Sequence, residues 1–340
     1  MSKIKDPHGK GVNAKTTQSH LPKADHSHGK KAYPQNALSE NEFLAGYNPQ
    51  EFERPSVSVD TVVFSVDTRQ QTENIRKLDE QKLTVLLVKR DTHPFFDKWS
   101  LPGGFVGITE PLDSAARRVL RDKTGLDELY LEQLYTFGAP NRDPRMRIIS
   151  CAYLSLIDRS KHFLIRQESN DTQESNNTQD PINSQSQNQE QDDTTETTLQ
   201  TAWFEIEFSQ NANTILMKSS EESLTIPVHS QTARNGKIET LSYVAATESQ
   251  LAFDHATLIL EGLLRLRSKV ENTDIVFNLM PERFPISDLQ QIYEIILGRK
   301  LLTPLFRRQI APKIEGTGSY TQEKGHRPSQ LFRYKIGAGP

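Results

Sequence analysis

The sequence has little cysteine, no long apolar run and no strong excess of either charge. Its single cysteine, Cys151, excludes an intrachain disulfide and fits a reducing compartment. That residue lies in an apolar, strand-like run and reads as a small core side chain. No stretch approaches the roughly 18 consecutive apolar residues that a membrane span requires. The opening MSKIKDPHGKG has no apolar segment of the kind a secretory signal needs. A cytoplasmic chain without membrane contact is therefore expected. The formal net charge over 340 residues is −3, and 35% of residues are apolar. Any charge the chain uses must then be local, and its length has room for about two domains.

Two segments lack the apolar content to build a core. Residues 1–50 carry Lys3, Lys5, Lys10, Lys15, Lys23, Lys30 and Lys31 without hydrophobic periodicity. They are expected to form a disordered basic tail with a non-specific attraction for nucleic acid. His8, His20, His26 and His28 are too loosely spaced there for a metal site. Residues 166–200 are rich in Gln, Asn, Ser, Thr and Asp, and are expected to be a disordered insertion inside a domain.

The most informative stretch is 101–126, LPGGFVGITEPLDSAARRVLRDKTGL. Pro111 suits a first helical turn, with Thr109 or Glu110 as cap, and Leu112, Ala116 and Val119 recur at helical spacing. Gly125 is placed to end the helix in a left-handed conformation. Gly104, Glu110, Arg118, Leu120, Gly125 and Leu126 match the pattern Gx5Ex7REUxEExGU, where U is aliphatic. The stretch thus resembles the signature of the Nudix fold, and its lead-in Lys98-Trp99-Ser100-Leu101-Pro102-Gly103-Gly104 is similar too.

This resemblance implies a fold with three carboxylates on one helix, holding Mg²⁺ beside a pyrophosphate. Here those positions are Val119, Asp122 and Lys123. Spaced i, i+3, i+4, they share one patch, and its formal charge is zero where the family has three carboxylates. Mg²⁺ demands oxygen ligands in a near-octahedral array, and without it the pyrophosphate cleavage of this family loses its Lewis acid. The expectation is no catalytic residue, no metal site, no required cofactor and no enzyme activity.

Around that helix, residues 57–64, 83–88, 131–137, 147–157 and 201–206 read as strands from their β-branched and alternating content, and 212–250 as one or two more. Residues 253–270 read as a second long helix, with Asp254 as cap and Ile259, Leu263, Leu266 and Val270 on one face. The loop at 137–147 sets Arg142, Arg145 and Arg147 around Pro140 and Pro144. Guanidinium forks match phosphate oxygens in a bidentate way, so Arg142 and Arg145 are candidate ligand-binding residues. The alternative is a solvated loop whose arginines pair with local acids. Arg118 and Glu110 of the signature are counted with them as ligand-binding candidates.

After Pro281-Glu282-Arg283-Phe284-Pro285 the character changes. Ser287-Asp288-Leu289-Gln290 reads as a capping box, opening a helix that buries Leu289, Ile292, Tyr293 and Ile296 and stops at Gly298. Thr303 caps a second helix with Pro304 at its first position, burying Leu305, Phe306 and Ile310 and leaving Arg307 and Arg308 free. Residues 313–320 and 330–335 form a hairpin wing about Gly325. From Gly298 onward nine Lys and Arg face Glu315 and Glu323, a net of +7. A basic helix-turn-helix with a wing is the footprint of a phosphate-backbone binder. The DNA-binding candidates are Lys300, Thr303, Arg307, Arg308, Lys324, His326, Arg327 and Arg333.

Further segments, Thr136-Phe137-Gly138, Asn141-Arg142-Asp143-Pro144-Arg145, Leu251-Ala252-Phe253-Asp254-His255-Ala256 and Phe306-Arg307-Arg308, extend the likeness. Together with Gly325-His326-Arg327-Pro328-Ser329-Gln330-Leu331-Phe332-Arg333, they resemble the Nudix-related transcriptional regulators of NAD metabolism. The resemblance implies an α+β protein, a Nudix α/β/α sandwich followed by a C-terminal winged helix-turn-helix domain. It divides the chain into the tail 1–50, a ligand-sensing domain 51–280 and a DNA-binding domain 281–340. It also implies ADP-ribose or a related nucleotide as effector, double-stranded operator DNA as partner, and a homodimer repressing NAD biosynthesis or salvage genes. The alternative is a Nudix pyrophosphohydrolase acting on ADP-ribose or another nucleoside diphosphate derivative.

Overall fold

The computed structural model describes residues 39–48, 50, 52–69, 80–127, 129–159, 200–209, 211–246, 250–321 and 328–337. Most of the expected tail, the expected insertion and the tip of the wing lie outside the described residues. The chain divides into two compact units, Met1–Glu53 and Arg54–Pro340.

In the first unit the expectation of a structureless tail is corrected in part. Helix α1 spans Glu40–Gly46, and it begins with a complete capping box. The Glu42 N–H donates to Ser39 Oγ at 3.4 Å, while the Ser39 N–H donates to Glu42 Oε2 at 2.8 Å. Two orphan donors of the first turn are thereby satisfied reciprocally. The signal, Ser-x-x-Glu at 39–42, is local and was present in the sequence.

The second unit is organised on a mixed sheet of ten strands. They are β1 (Ser56–Arg69), β2 (Glu80–Lys89), β3 (Trp99–Ser100), β4 (Gly103–Phe105), β5 (Tyr130–Phe137), β6 (Ile148–Ile157), β7 (Thr201–Ser209), β8 (Thr214–Lys218), β9 (Ser223–Asn235) and β10 (Ile238–Ala245). The order is β10-β9-β8-β7-β2-β1-β6-β5, with β3 on β2 and β4 on β1. Three strands therefore fill 212–250, more than the one or two expected. Central β1 runs parallel to β6, from Ser56↔Ile148 to Ser65↔Ile157, and antiparallel to β2.

Two helices cover the sheet: α2 (Leu112–Thr124) and α3 (His255–Val270). Side chains alternate across a strand, and β1 uses both faces. Val59 and Val63 pack with Ala115, Ala116, Val119 and Leu120 of α2, and Cys151 joins the same layer as a buried free thiol. Val62 and Phe64 lie in the opposite cluster with Ile259, Leu263 and Leu266 of α3. Helices on both faces bury β1 nearly throughout, giving the expected α/β/α sandwich.

The C-terminal module comprises β11 (Phe284–Pro285), α4 (Ile286–Leu297), α5 (Thr303–Ile310), β12 (Ile314–Tyr320) and β13 (Gln330–Tyr334). Strand β13 lies between β11 and β12, the wing of a winged helix. Its core holds Leu289, Ile292, Tyr293, Ile296, Phe306 and Ile310, with Tyr293 and Phe306 edge to face at 5.1 Å. Such a ring pair contributes about 0.5–1.5 kcal/mol beyond its buried area. This core is continuous with that of the sheet and α3, and the Gln81 N–H of β2 donates to Gln291 Oε1 of α4 at 3.3 Å. The expected boundary at 280/281 thus falls inside one compact unit. Among the described residues no helix is long and apolar enough to cross a membrane.

Helix stops agree with expectation: Gly125 and Gly298 sit in the left-handed region at φ 71° and 67°. Helix starts do not. Helix α2 has Pro111 at its cap position without a side-chain cap, because the Glu110 carboxylate is taken by Arg118 and the Gly107 N–H. Asp254 is the cap residue of α3 but makes no cap bond, its carboxylate being held by Arg142. The Ser287 capping box does not form. Pairing of Phe284 with Phe332 pins the entry so that α4 begins at Ile286, and Ser287 donates instead to Asp288. Helix α5 starts at Thr303 with Leu302 as cap residue, and Leu305 points to solvent.

Candidate functional site

A cleft of about 160 Å³ opens over the β1–β4 junction. Its floor is Asp60, paired in register with Gly103. A Cβ on Gly103 would lie 2.0 Å from Asp60 Oδ1, so only glycine allows this approach. Asp60 is buried and accepts Ser150 Oγ at 2.5 Å. The Leu101 N–H donates to His255 Nδ1 at 2.9 Å, which leaves the ring proton on Nε2, 3.5 Å from Asp60 Oδ1. Burial opposes the charge of Asp60, but His255, Ser150 and Arg142 together hold its carboxyl below the ordinary range.

The walls are cationic. Lys89, Arg90, Lys123, Arg142 and Arg145 line the cleft against Asp60, Asp91 and Asp143. Arg142, on the loop after β5, is only 4% exposed and grips Asp254 through Nε at 2.9 Å and Nη2 at 2.7 Å. Arg145 makes a second fork, to Asp143 at 3.0 and 2.8 Å, and Asp143 is held below the usual carboxylate range because those bonds outweigh its burial. Arg90 donates to the carbonyls of Pro94 at 2.7 Å and Thr92 at 3.4 Å. Two guanidinium groups approach the Phe253 ring, Arg90 at 4.9 Å and Arg145 at 5.9 Å, and Phe105 lies 5.4 Å from Arg145. Phe253 has φ 52°, a conformation costly for a non-glycine residue and often found where a side chain serves a site.

Of the sequence candidates, Arg142 and Arg145 line this cleft, whereas Glu110 and Arg118 are not among its lining residues. Those two form an ion pair at 2.7 Å, and Arg118 also reaches the Phe105 carbonyl at 3.1 Å. The Arg118 bonds and the Gly107 N–H pull the Glu110 carboxyl down to about 2. The pair therefore braces the turn before α2. Lys89, Arg90, Phe253 and His255 were missed as site residues. The available signal for the first two was a Lys-Arg pair ending a strand pattern. Phe253 and His255 lie in the segment 251–256, which carries the family likeness but no local pattern that assigns them a role.

The divalent ion implied by the Nudix fold does not fit here. Val119 is buried against Val59 and Cys151. Asp122 Oδ2 lies 3.7 Å from Arg118 Nη1, and Lys123 brings an ammonium to the cleft. Among the described residues no cluster of three or more His, Cys, Asp or Glu is arranged for a metal.

At the other end of the unit, α5 presents Arg307 and Arg308 to solvent, and among the described residues neither is within 4 Å of a carboxylate. Lys300 is exposed and bonds Glu294 at 2.8 Å. Thr303 Oγ1 accepts Gln290 Nε2 at 3.2 Å, and Arg333 bonds Glu315 across the wing at 2.6 Å. Lys324, His326 and Arg327 lie outside the described residues. Helix α3 joins the two ends: its first turn carries His255 beside the cleft, and near its last turn Arg267 donates to the Ile296 carbonyl of α4 at 2.7 Å and the Phe208 carbonyl of β7 at 3.2 Å.

Comparison with known proteins places both parts. Residues 276–334 match the family described as the NrtR DNA-binding winged helix domain, and residues 70–181 match the NUDIX domain. The chain is 29% identical over 305 residues to the ADPR responsive transcriptional repressor NtrR of Acinetobacter baylyi, covering 88% of this chain and 90% of that one. It is 36% identical over 75 residues to an ADP-ribose pyrophosphatase of Methanocaldococcus jannaschii, covering 22% of this chain and 44% of the relative. A MutT/nudix family protein of Enterococcus faecalis shares the fold at 22% identity, with a TM-score of 0.58 over 88% of this chain and 95% of the other. The chain therefore joins a segment that matches the NUDIX domain to one that matches the NrtR DNA-binding winged helix domain.

Proposed function

We propose that this chain is a transcriptional repressor of NAD biosynthesis or salvage genes, and that its Nudix domain senses ADP-ribose without hydrolysing it. The observation that carries the reading is the pairing of a cationic, ring-lined cleft lacking the Nudix metal-binding carboxylates with a helix whose exposed arginines, among the described residues, have no carboxylate partner. Sites for drug-sized ligands usually enclose about 300–1,000 Å³. The cleft volume of about 160 Å³ suits the diphosphate of such a nucleotide, with its outer groups lying over Phe253 and Phe105. Arg145 and Arg90 are placed for phosphate contacts, and Arg142 orients the loop through Asp254.

Reading operator DNA falls to Arg307 and Arg308 of α5. A guanidinium can make a bidentate contact to guanine in the major groove. Lys300, Lys324, Arg327 and Arg333 serve the phosphate backbone on this reading, with Thr303 and His326 as further DNA contacts. A cytoplasmic homodimer would place two such helices on a palindromic site, its half-sites separated by about one helical turn or a multiple. Helix α3 has 16 residues, about 24 Å at the usual rise per residue, and connects the cleft to α4 as one uninterrupted helix.

The test is capture of genomic DNA fragments on the purified chain at fixed salt, with and without ADP-ribose. Selective retention that ADP-ribose alters is the expected outcome, and sequence-blind retention would refute the reading. The second reading, an ADP-ribose pyrophosphatase, draws on the likeness to the M. jannaschii relative. It requires AMP release with Mg²⁺ or Mn²⁺ at a rate approaching about 1 s⁻¹, the low end for enzymes.

A further inference from the structure

We infer that Lys123 supplies, from within the chain, the positive charge that a divalent ion supplies in Nudix hydrolases, so that diphosphate binding is independent of Mg²⁺. The inference rests on the reading of the cleft as a nucleotide site.

Lys123 is half-buried in the last turn of α2 and lines the cleft beside Gly104 and Phe105. The other cations there are held by partners. Lys89 lies 3.2 Å from Asp97 and 3.5 Å from Glu222, Arg142 and Arg145 fork onto Asp254 and Asp143, and Arg90 is fixed by carbonyls. Among the described residues no carboxylate lies within 4 Å of the Lys123 ammonium. It is thus a cleft cation whose charge is not already committed to a carboxylate.

The two neighbouring positions reinforce the point. Val119 presents methyl groups to Gly104, where an added Cβ would lie 3.0 Å from Cγ2, so the turn rests on an apolar contact rather than on a ligated ion. Asp122 is drawn towards Arg118. A dication entering here would meet an ammonium and only one nearby helix carboxylate, whereas a diphosphate would meet a flexible point charge with three donors. A lysine in a last helical turn also favours the helix dipole. That purely structural role predicts no change in ligand binding when the lysine is replaced.

Calorimetry on the full chain separates these roles, with ADP-ribose and inorganic pyrophosphate as probes, in EDTA and in Mg²⁺. The wild type should bind equally well in both buffers. Lys123→Ala should lose about tenfold or more in affinity for both probes, the loss expected for one charge-assisted contact. Lys123→Gln, which removes the charge but keeps an unbranched polar side chain of similar helix propensity, should match it at an unchanged melting temperature, and Lys123→Arg should retain most binding. Lys123→Glu should bind worst in EDTA. A wild type that needs Mg²⁺, or alanine and glutamine variants that bind normally, would overturn the assignment of Lys123 while leaving nucleotide sensing intact. Pyrophosphate binding that depends on Lys123, without any ADP-ribose binding, would sustain Lys123 and defeat the nucleotide reading. Binding of neither probe would defeat both.

Discussion

The cleft and the winged helix are both rich in arginine, and they hold it in opposite ways. In the cleft, Arg142 is buried between Asp254 and Asp60, and Arg145 is forked onto Asp143. On α5, Arg307 and Arg308 stand in water with no described carboxylate beside them. Ion pairs formed on folding fix side-chain geometry before a ligand arrives, at a desolvation cost borne by the fold. Solvated arginines contribute little to the fold and keep their charge for a polyanion, gaining from released counterions on binding. Substitutions in the first region should therefore register mainly in stability, and those in the second mainly in affinity.

The largest effect should come from Arg142→Ala, which leaves Asp254 and buried Asp60 without their guanidinium. Breaking a buried pair from one side costs about 3–5 kcal/mol, with the lower end expected because Asp254 is partly exposed. Urea denaturation should show it as a reduced midpoint at an unchanged slope. A midpoint equal to wild type would mean that the fork onto Asp254 is not structural.

Next, Arg307→Ala and Arg308→Ala should each weaken operator binding by about 1–3 kcal/mol if that side chain reads a base. Both should leave the unfolding midpoint within about 0.5 kcal/mol of wild type. Normal operator affinity of the double variant at fixed salt would remove α5 as the reader.

Arg267→Ala sharpens the comparison differently, because it touches neither cleft nor DNA. Arg267 is partly buried and donates to two carbonyls, one of them Ile296 in the last turn of α4, where a cation is favoured. Burial lowers its pKa, yet a guanidinium stays charged. Loss of this bridge should reduce the coupling between ADP-ribose and DNA, typically about 1–3 kcal/mol in regulated proteins. A variant whose DNA binding responds to ADP-ribose as wild type does would show that coupling takes another route.

The smallest effect concerns acid. Glu110 has its folded pKa lowered from 4.5 to about 2. The stability it contributes is therefore complete above about 4.5 and is lost as pH falls towards 2. Because its partner Arg118 is 40% exposed and the pair is open to solvent screening, it should account for little, so Glu110→Gln should leave the acid-unfolding curve nearly superimposable on wild type. A large separation of the two curves would show that the Arg118 bond braces more than its own turn.

Local signals in the sequence hold in the fold where nothing distant competes with them. Gly125 and Gly298 end their helices because a left-handed residue without a Cβ is cheap wherever it occurs. The alternation of β1 and the apolar spacing of α2 likewise needed only their own residues. The box at Ser287 failed although its pattern was sound, because the Phe284–Phe332 pairing moved the start of the helix. Leu305 was assigned to the core on hydrophobicity alone, yet the phase of α5 turns Phe306 and Ile310 inward instead.

By itself, then, the sequence determined the Nudix framework, the missing carboxylates at 119 and 123, the helix stops and the basic character of the last module. Each of these depends on residue type at short spacing. Tertiary structure alone decided that Arg142 belongs to Asp254, 112 positions away, and that Phe253 meets both Arg90 and Arg145. It also decided that one core runs from the sheet through α3 into the winged helix. Such partners are chosen by the packing of segments remote in the chain. A guanidinium meets whichever carboxylate the folded backbone brings within about 3 Å, and no local pattern encodes that distance.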